Sequence, residues 1–304
     1  MATIVVAGGS GLLGTALVDA LRADGHQVAV FTRRPRRVGD VLWSAREGDG
    51  AWTGALGDAD AVINLAGSSV AAGRWTLARK TAIRESRFQS TRALVRAIAG
   101  ARRPPPVFLS GSAVGIYGLH GDEPVTEETA PGPDFLASVC REWEELALGA
   151  RTTSRVVLLR TGIVLAGEGG ALPRLALPFR FFAGGPAGSG QQYMPWIHRD
   201  DWVAMVRWAL DRSDVAGPIN LTAPFPVRNE EFARALGRVL HRPSFLRAPS
   251  MALRLALGEM ADALILGGQR VLPRKAQDAG FVFRYPTLDP ALQAIYPSHD
   301  RRRS

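Results

Sequence analysis

IVVAGGSGLLGTALVDALRADGHQVAVFTR, residues 4–33, is the stretch that decides the fold. Its short apolar run Ile4-Val5-Val6 reads as a buried parallel strand. The run breaks into Gly8-Gly9-Ser10-Gly11-Leu12-Leu13-Gly14, after which Leu13, Ala16, Leu17, Ala20 and Leu21 fall at helical spacing. Gly25 ends the predicted helix, because a residue at positive φ beyond a helix C-terminus is unstrained only without a Cβ. His26 to Phe31 makes the next strand. Together they form a βαβ unit whose first turn spaces Gly8, Gly11 and Gly14 as G-x-x-G-x-x-G.

Glycine at those positions lets the chain turn tightly and bring backbone N–H groups against a pyrophosphate. It also lets the helix pack close to the strand, with the positive end of its dipole facing the anion. The flanking strands and helix make this a dinucleotide site, with Gly8, Ser10, Gly11, Leu12, Leu13 and Gly14 as its contacts. A bare strand–helix turn does not need three glycines in register. The end of the second strand selects the dinucleotide. Asp or Glu there would bind the ribose 2′-hydroxyl of NAD, but Thr32-Arg33-Arg34 stands instead. Two guanidiniums suit a 2′-phosphate, each charge-assisted bond contributing about 1.5–3 kcal/mol, roughly tenfold or more in affinity. NADP(H) is therefore the expected cofactor; arginines in open solvent are the alternative.

The 304 residues are 46% hydrophobic and 21% charged, an ordinary globular composition large enough for a full core. A single cysteine, Cys140, excludes an internal disulfide and fits a reducing, cytoplasmic setting. No leader precedes the first strand, and no apolar run approaches membrane-spanning length, so neither export nor a membrane partner is expected. The net charge of +9 raises nucleic acid as a partner. The arginines are spread, however, clustering only at Arg33–Arg37 and in the tail Arg301-Arg302-Arg303, which reads as a disordered end. No zinc-ligand spacing or RNA-binding aromatic signature accompanies them. An anionic cofactor and a small, anionic substrate account for the sign, with no metal and no nucleic acid.

Further along, a short third strand is expected near Val41–Trp43. Asp60-Ala61-Val62-Ile63-Asn64-Leu65-Ala66-Gly67 reads as a buried strand ending in a small-residue turn. In a doubly wound sheet ligands lie beyond the carboxyl ends of the strands, which puts Asn64, Leu65, Ala66 and Gly67 beside the cofactor. A long helix over 76–100 carries Arg74, Trp75 and Lys80 at its entrance. The strand Val107–Ser110 leads into Gly111-Ser112-Ala113-Val114-Gly115-Ile116-Tyr117-Gly118, with Ser110 at the cofactor. Asp134 is the expected cap of a helix over 135–149, and a strand runs from Arg155 to Val164. Past a glycine-rich stretch and an apolar segment, Leu172 to Phe182, come a helix over 202–211, a strand over 218–222 and a helix over 229–240 with Asn229 as cap. Residues 243–296 read as helical. The expected fold is α/β: a Rossmann doubly wound parallel sheet with a smaller, mostly helical C-terminal substrate lobe. Residues 1–165 form the NADP-binding domain, with 191–222 returning to it, while 166–190 and 223–304 form the lobe.

The assembled chain resembles the extended short-chain dehydrogenase/reductase superfamily of nucleotide-sugar epimerases and dehydratases. It is most similar to "epimerase family" proteins that carry an extra C-terminal domain of unknown function. The resemblance rests on Gly8–Gly14, Asp60–Gly67, Arg74-Trp75 with Lys80 through Ser86-Arg87, Ser112–Gly118, Gly132–Phe135 to Trp143-Glu144, and Leu159–Leu165. It continues through Trp196–Asp201, Gly217–Thr222, Gly258-Glu259-Met260, Gln269-Arg270-Val271 and Gly280-Phe281. It implies an NADP-dependent oxidoreductase or epimerase acting on a nucleotide-linked or otherwise anionic small molecule, as monomer or homodimer. The superfamily's chemistry uses a Ser or Thr, a Tyr and a Lys four residues after the Tyr. By position the serine is Ser112. The helix that should carry Tyr-x-x-x-Lys reads Phe135-Leu136-Ala137-Ser138-Val139, and no tyrosine in the chain is followed four residues later by lysine.

Ser112 is expected to touch substrate or nicotinamide, the alternative being a turn hydroxyl. Tyr117 could reach the mouth of the site as a substitute proton donor, or pack beneath its loop. Arg74, Lys80, Phe135 and Trp196 are candidates for the substrate side, against a solvated helix entrance for the cations and core for the rings. His198 with Asp200 and Asp201 invites a catalytic pair, but an aspartate capping the next helix over a packed histidine is the preferred reading. Cys140 reads as a buried thiol, and Glu142 and Glu144 as surface charges. General acid–base help is typically worth 10²–10⁴-fold, so its loss leaves two readings open: an atypical enzyme, or a module that binds NADP(H) without turnover.

Overall fold

The computed structural model describes residues 1–45 and 50–297; the arginine-rich tail lies outside the described residues. In chain order come β1 (Thr3–Ala7), α1 (Leu12–Ala23), β2 (Gln27–Thr32), β3 (Asp40–Leu42), α2 (Gly54–Gly57), β4 (Ala61–Asn64) and α3 (Leu77–Gly100). They are followed by β5 (Val107–Ala113), β6 (Pro124–Val125), α4 (Phe135–Leu148), β7 (Arg155–Thr161), β8 (Ile163–Leu165) and α5 (Leu172–Arg180). Next are β9 (Tyr193–Met194), β10 (Trp196–His198), α6 (Arg199–Asp211), β11 (Gly217–Leu221), β12 (Val227–Arg228), α7 (Asn229–Leu240) and α8 (Ser250–Leu257). Short helices and β13 (Arg270–Val271) complete the C-terminal region.

Seven strands make one sheet in the order β11-β7-β5-β4-β1-β2-β3, parallel at every pairing. The order runs outward from β1 in both directions, so the switch point lies between β1 and β4, where a ligand crevice opens at the carboxyl ends. Strand periodicity sorts the core. Ile4 and Val6 pack with Leu17, Leu21, Trp202 and Met205 on the α1/α6 face. Val5 and Ala7 pack with Leu94, Ile98 and Ala147 on the α3/α4 face. Each such fully buried aliphatic side chain contributes roughly 1.5–3 kcal/mol. A separate core joins α5, α7 and the 288–295 helix, and it includes Met194 and Trp196.

Several boundaries differ from the sequence reading for identifiable reasons. The strand expected over 155–164 breaks at Gly162, where a Cβ would lie 2.3 Å from the Pro195 carbonyl oxygen. Beyond that close approach β8 leaves the main sheet and pairs with β10. The helix expected at 202 starts at Arg199, because His198 caps it, its ring nitrogen accepting the Asp200 N–H at 3.1 Å. Arg228, rather than Asn229, holds the cap position of α7; Asn229 instead accepts the Ala187 N–H at 2.8 Å. Asp134 caps α4 as expected, accepting from Ala137 N–H at 2.8 Å. Trp43 follows β3 and forms an aromatic cluster with Phe31 and Trp52, ring centroids 5.8–6.0 Å apart.

The tightest joint is at Gly14, where a Cβ would fall 2.3 Å from the Gly8 carbonyl oxygen and 2.7 Å from Gly9 Cα. Gly14→Ala is expected to cost about 1–3 kcal/mol through this overpacking, measured as a lower urea midpoint at unchanged m value. Gly57→Ala, with nothing within 4 Å of the new methyl, should stay within about 0.5 kcal/mol of the parent.

Candidate functional site

At the switch point β1 ends in a turn in which Gly8 takes φ +81° and a Cβ would lie 2.7 Å from the Leu65 carbonyl carbon. Gly8 N–H donates to Phe31 O at 3.3 Å and Gly11 N–H to Gly8 O at 3.1 Å. Gly11 is the N-cap of α1 and offers no side-chain bond to the first turn. The first-turn N–H groups have no intrahelical partners, and the only atom near a Cβ at Gly11 is Gly8 O at 3.4 Å. This is a bare, donor-rich corner that fits a diphosphate. Ser10 is exposed beside it, Leu13 packs toward the core, and Leu12 lies against Gly169 and Gly170 of the following loop.

Thr32 is buried at the end of β2 and accepts the Arg34 N–H at 3.3 Å. Arg33 and Arg34 are exposed and make no ion pair among the described residues, whereas Arg37 lies 3.5 Å from Asp19. Across the crevice Leu65 N–H donates to Ala7 O at 2.8 Å. Asn64 is spent internally, its amide donating to Thr91 at 2.9 Å and accepting from Ala66 N–H at 3.2 Å; it shapes the turn instead of presenting its side chain to a ligand. Gly67 lies against Arg87, whose Nη1 donates to Ser68 O at 3.1 Å and Ile83 O at 3.0 Å. Burial lowers the Arg87 pKa, and its guanidinium stacks over Trp143 at 5.2 Å.

Beneath β5 lies a buried polar network. Ser112 Oγ donates to Glu144 at 2.6 Å, and Glu144 receives a two-pronged bond from Arg160, Nε at 2.9 Å and Nη2 at 2.8 Å. Arg160 Nη1 donates to the Tyr117 hydroxyl at 2.9 Å, and Tyr117 donates to Asn220 Oδ1 at 2.6 Å. Glu127 accepts the Asn220 N–H at 3.0 Å, and Asn220 donates to Leu272 O at 3.0 Å. Burial would lower the Arg160 pKa, but the bonds to Glu144 and Tyr117 outweigh it and raise it. Burial pushes the Tyr117 phenol up to about 12, against the opposing pull of Arg160.

This network corrects several expectations. Tyr117 is 1% exposed and bonded on both sides, so it packs beneath its loop and does not reach the mouth. Ser112 is 4% exposed and donates its proton to Glu144. Ser110 is fully buried, and Glu144 is buried instead of a surface charge. Trp196, offered as a substrate wall, is 0% exposed and packs in the core shared by α5, α7 and the 288–295 helix. The missed members were legible in part: Arg160 is the charged residue inside the apolar run Val156 to Val164.

Arg74, Lys80 and Phe135 come together near the entrance of α3, beside residues 255–259. Phe135 meets Trp75 edge-on at 5.3 Å, with Lys80 Nζ 4.9 Å above the Phe135 ring. Lys80 pairs with Glu259 at 2.5 Å, and Arg74 donates to Leu255 O at 3.3 Å. The entrance of α3 is therefore roofed by the C-terminal region; sequence reasoning had not brought Glu259 to this place. His198 is stacked on Tyr285 at 4.1 Å, and burial lowers its pKa against the opposing Asp200 carboxylate. Asp201 accepts the N–H groups of Arg284 and Tyr285, so it ties the chain and does not act on the histidine. Burial pushes the Cys140 thiol up to about 12. Glu142 is a surface partner of Arg84 at 2.8 Å. Among the described residues no group of three or more His, Cys, Asp and Glu is placed to hold a metal ion.

A doubly wound sheet with a bare glycine corner at its switch point defines a dinucleotide-binding α/β protein. Residues 4–221 match the NAD dependent epimerase/dehydratase family, to which the chain belongs, and residues 248–295 match a domain of unknown function, DUF1731. The chain is 42% identical over 293 residues to the epimerase family protein ML0860 of Mycobacterium leprae, covering 96% of this chain and 94% of that protein. It is 42% identical over 302 residues to the chloroplastic epimerase family protein SDR39U1 homolog of Arabidopsis thaliana, covering 96% and 86%. The crystal structure of human epimerase family protein SDR39U1 with NADPH superposes with a TM-score of 0.90 at 33% identity, covering 97% of this chain and 99% of that one.

Replacing Arg33 and Arg34 together by alanine should weaken NADPH at least about tenfold and leave NADH nearly unchanged, followed by fluorescence titration. Tyr117 supplies a pH signature. Its folded pKa of about 12 lies above the ordinary tyrosine value of 10.0, so its contribution is fully present below pH 10 and is lost as pH rises through 12. Tyr117→Phe should flatten the stability decline across that window in urea titrations at stepped pH.

Proposed function

We propose that this protein binds NADP(H) along the Gly8–Gly14 corner and Arg33/Arg34, and acts as an oxidoreductase or epimerase on a small, anionic or nucleotide-linked substrate. The observation that carries the reading is two guanidiniums without carboxylate partners, among the described residues, beyond a strand that elsewhere in such folds ends in an acid. The NADPH of the human relative supports it. When bound, the nicotinamide supplies or takes a hydride. Ser112, its proton turned toward Glu144, accepts a hydrogen bond from a substrate hydroxyl or from the nicotinamide amide. Lys80 and Arg74 attract an anionic group to the mouth, Phe135 and Trp75 wall it, and Glu259 limits the free charge of Lys80. A reducing, cytoplasmic compartment fits the lone buried thiol.

A second reading has a specific observation in its favour. Tyr117, the hydroxyl best placed in sequence to replace the missing phenol, is locked between Arg160 and Asn220. The protein would then hold NADP(H) without turning it over. Incubation of protein and NADPH with a panel of carbonyl compounds and sugar nucleotides, following loss of reduced-nicotinamide absorbance, separates the two. The enzyme reading expects turnover that falls roughly 10²-fold or more in Ser112→Ala. Tight NADPH binding with no oxidation across the panel would leave the holding role.

A further inference from the structure

Residues 171–191 and 241–258 contain five arginines and no Asp or Glu. They also carry half of the large apolar side chains that stand exposed among the described residues, including Phe181 at 74%, Phe245 at 77%, Met251 at 70% and Leu255 at 72%. Backbone bonds join the two segments side by side. Leu246 N–H donates to Gly184 O at 3.0 Å, Ala248 N–H to Pro186 O at 2.9 Å, and Gly188 N–H to Ala248 O at 2.9 Å. Helix α8, SMALRLAL, buries none of its residues. Phe182 holds a left-handed φ of +61°, a conformation L side chains rarely adopt, and its ring lies 4.7 Å from the Arg242 guanidinium.

We propose that the face carried by these segments docks on an anionic lipid bilayer, with the phenylalanines and the outer side of α8 entering the interface and the arginines meeting headgroup phosphates. Charge complementarity chooses the occupant. Arg180, Arg242 and Arg247 form no ion pair among the described residues, while the nearby acids are taken: Glu230 by Arg234 at 3.2 Å and Asp262 by Arg254 at 2.9 Å. A second copy would oppose cation to cation. Leu177, Phe181, Phe182, Met251 and Leu255 are each more than half exposed, which suits a fluid apolar layer better than a shaped partner. Among the described residues no helix is long and apolar enough to cross a membrane; the proposed contact is with the bilayer surface. It is also distinct from the cofactor corner and can be tested without any substrate.

The test is sedimentation of the full chain with vesicles of phosphatidylcholine alone or mixed with phosphatidylglycerol. Binding to the anionic vesicles is expected, and Phe181→Ser with Phe245→Ser should weaken it roughly tenfold or more at an unchanged melting temperature. Arg96→Ala with Arg103→Ala removes two cations elsewhere and should leave binding within about twofold. No binding to the anionic vesicles would overturn the proposal. So would equal loss in both variants, or unchanged binding in the phenylalanine variant, since either reports attraction by net charge alone. Concentration-dependent self-association abolished by the phenylalanine changes, without vesicle binding, would assign the face to a second copy.

Discussion

The two-pronged bond between Arg160 and Glu144 ties together elements that lie far apart in the chain. Arg160 stands on β7, Glu144 on α4 and Ser112 on β5, and the third guanidinium nitrogen reaches Tyr117 and the Glu127 carbonyl. From Tyr117 the chain of bonds passes through Asn220 to Leu272, and Glu127 accepts from Asn220 and Lys275. The sheet, its covering helix and the C-terminal region thus share one polar knot. A buried ion pair is weak evidence of net stability, because an apolar replacement of equal volume is often as good. Removing one partner alone is severe, about 3–5 kcal/mol, since it strands the other charge. The worth of the knot lies in position: it fixes where the end of β5 stands against the C-terminal region.

How much of this was legible in sequence follows from the range of each interaction. The glycine corner, the Asp134 cap and Gly25 are set by chemistry within a few residues, and those readings match the structure. The alternating apolar residues of β1 likewise announce a strand covered on both faces. Tyr117 could not be placed this way, because its hydroxyl partners lie 43 and 103 residues distant along the chain. Glu144 beside Trp143 looks like an ordinary helix surface until β7 brings a guanidinium to it. Trp196 sits in a run compatible with either a pocket wall or a core, and only the packing of α5 and α7 around it decides for the core.

The chemistry of the site turns on which hydroxyls are free. A tyrosine that serves as proton donor needs a lowered pKa and an open path to substrate. Tyr117 has neither, being buried with a raised pKa and donating to Asn220. Ser112 retains acceptor capacity but gives its proton to a carboxylate already held by Arg160. Neither hydroxyl is therefore free to donate; a further ion pair, Lys80–Glu259, stands near the entrance of α3. There Lys80 is about a quarter exposed and Glu259 about half. The pair is a surface one, worth about 0–1 kcal/mol, so a substrate anion can compete with Glu259 for the lysine at little cost.

The net charge of +9 acquires meaning once it is divided by location. Arg160 is neutralised in the core by Glu144, and many surface arginines are matched by neighbouring acids. Among the described residues, cations without an ion pair include Arg33 and Arg34 beside the glycine corner and Arg180, Arg242 and Arg247 near α5 and α8, with others such as Arg96, Arg102 and Arg151 spread elsewhere. A nucleic-acid surface would need its cations spread along a groove with aromatic side chains arranged for stacking. Here the first group stands where a 2′-phosphate would end, while the second surrounds protruding phenylalanines. The screening length in physiological salt is about 8 Å, so each group acts on what touches it.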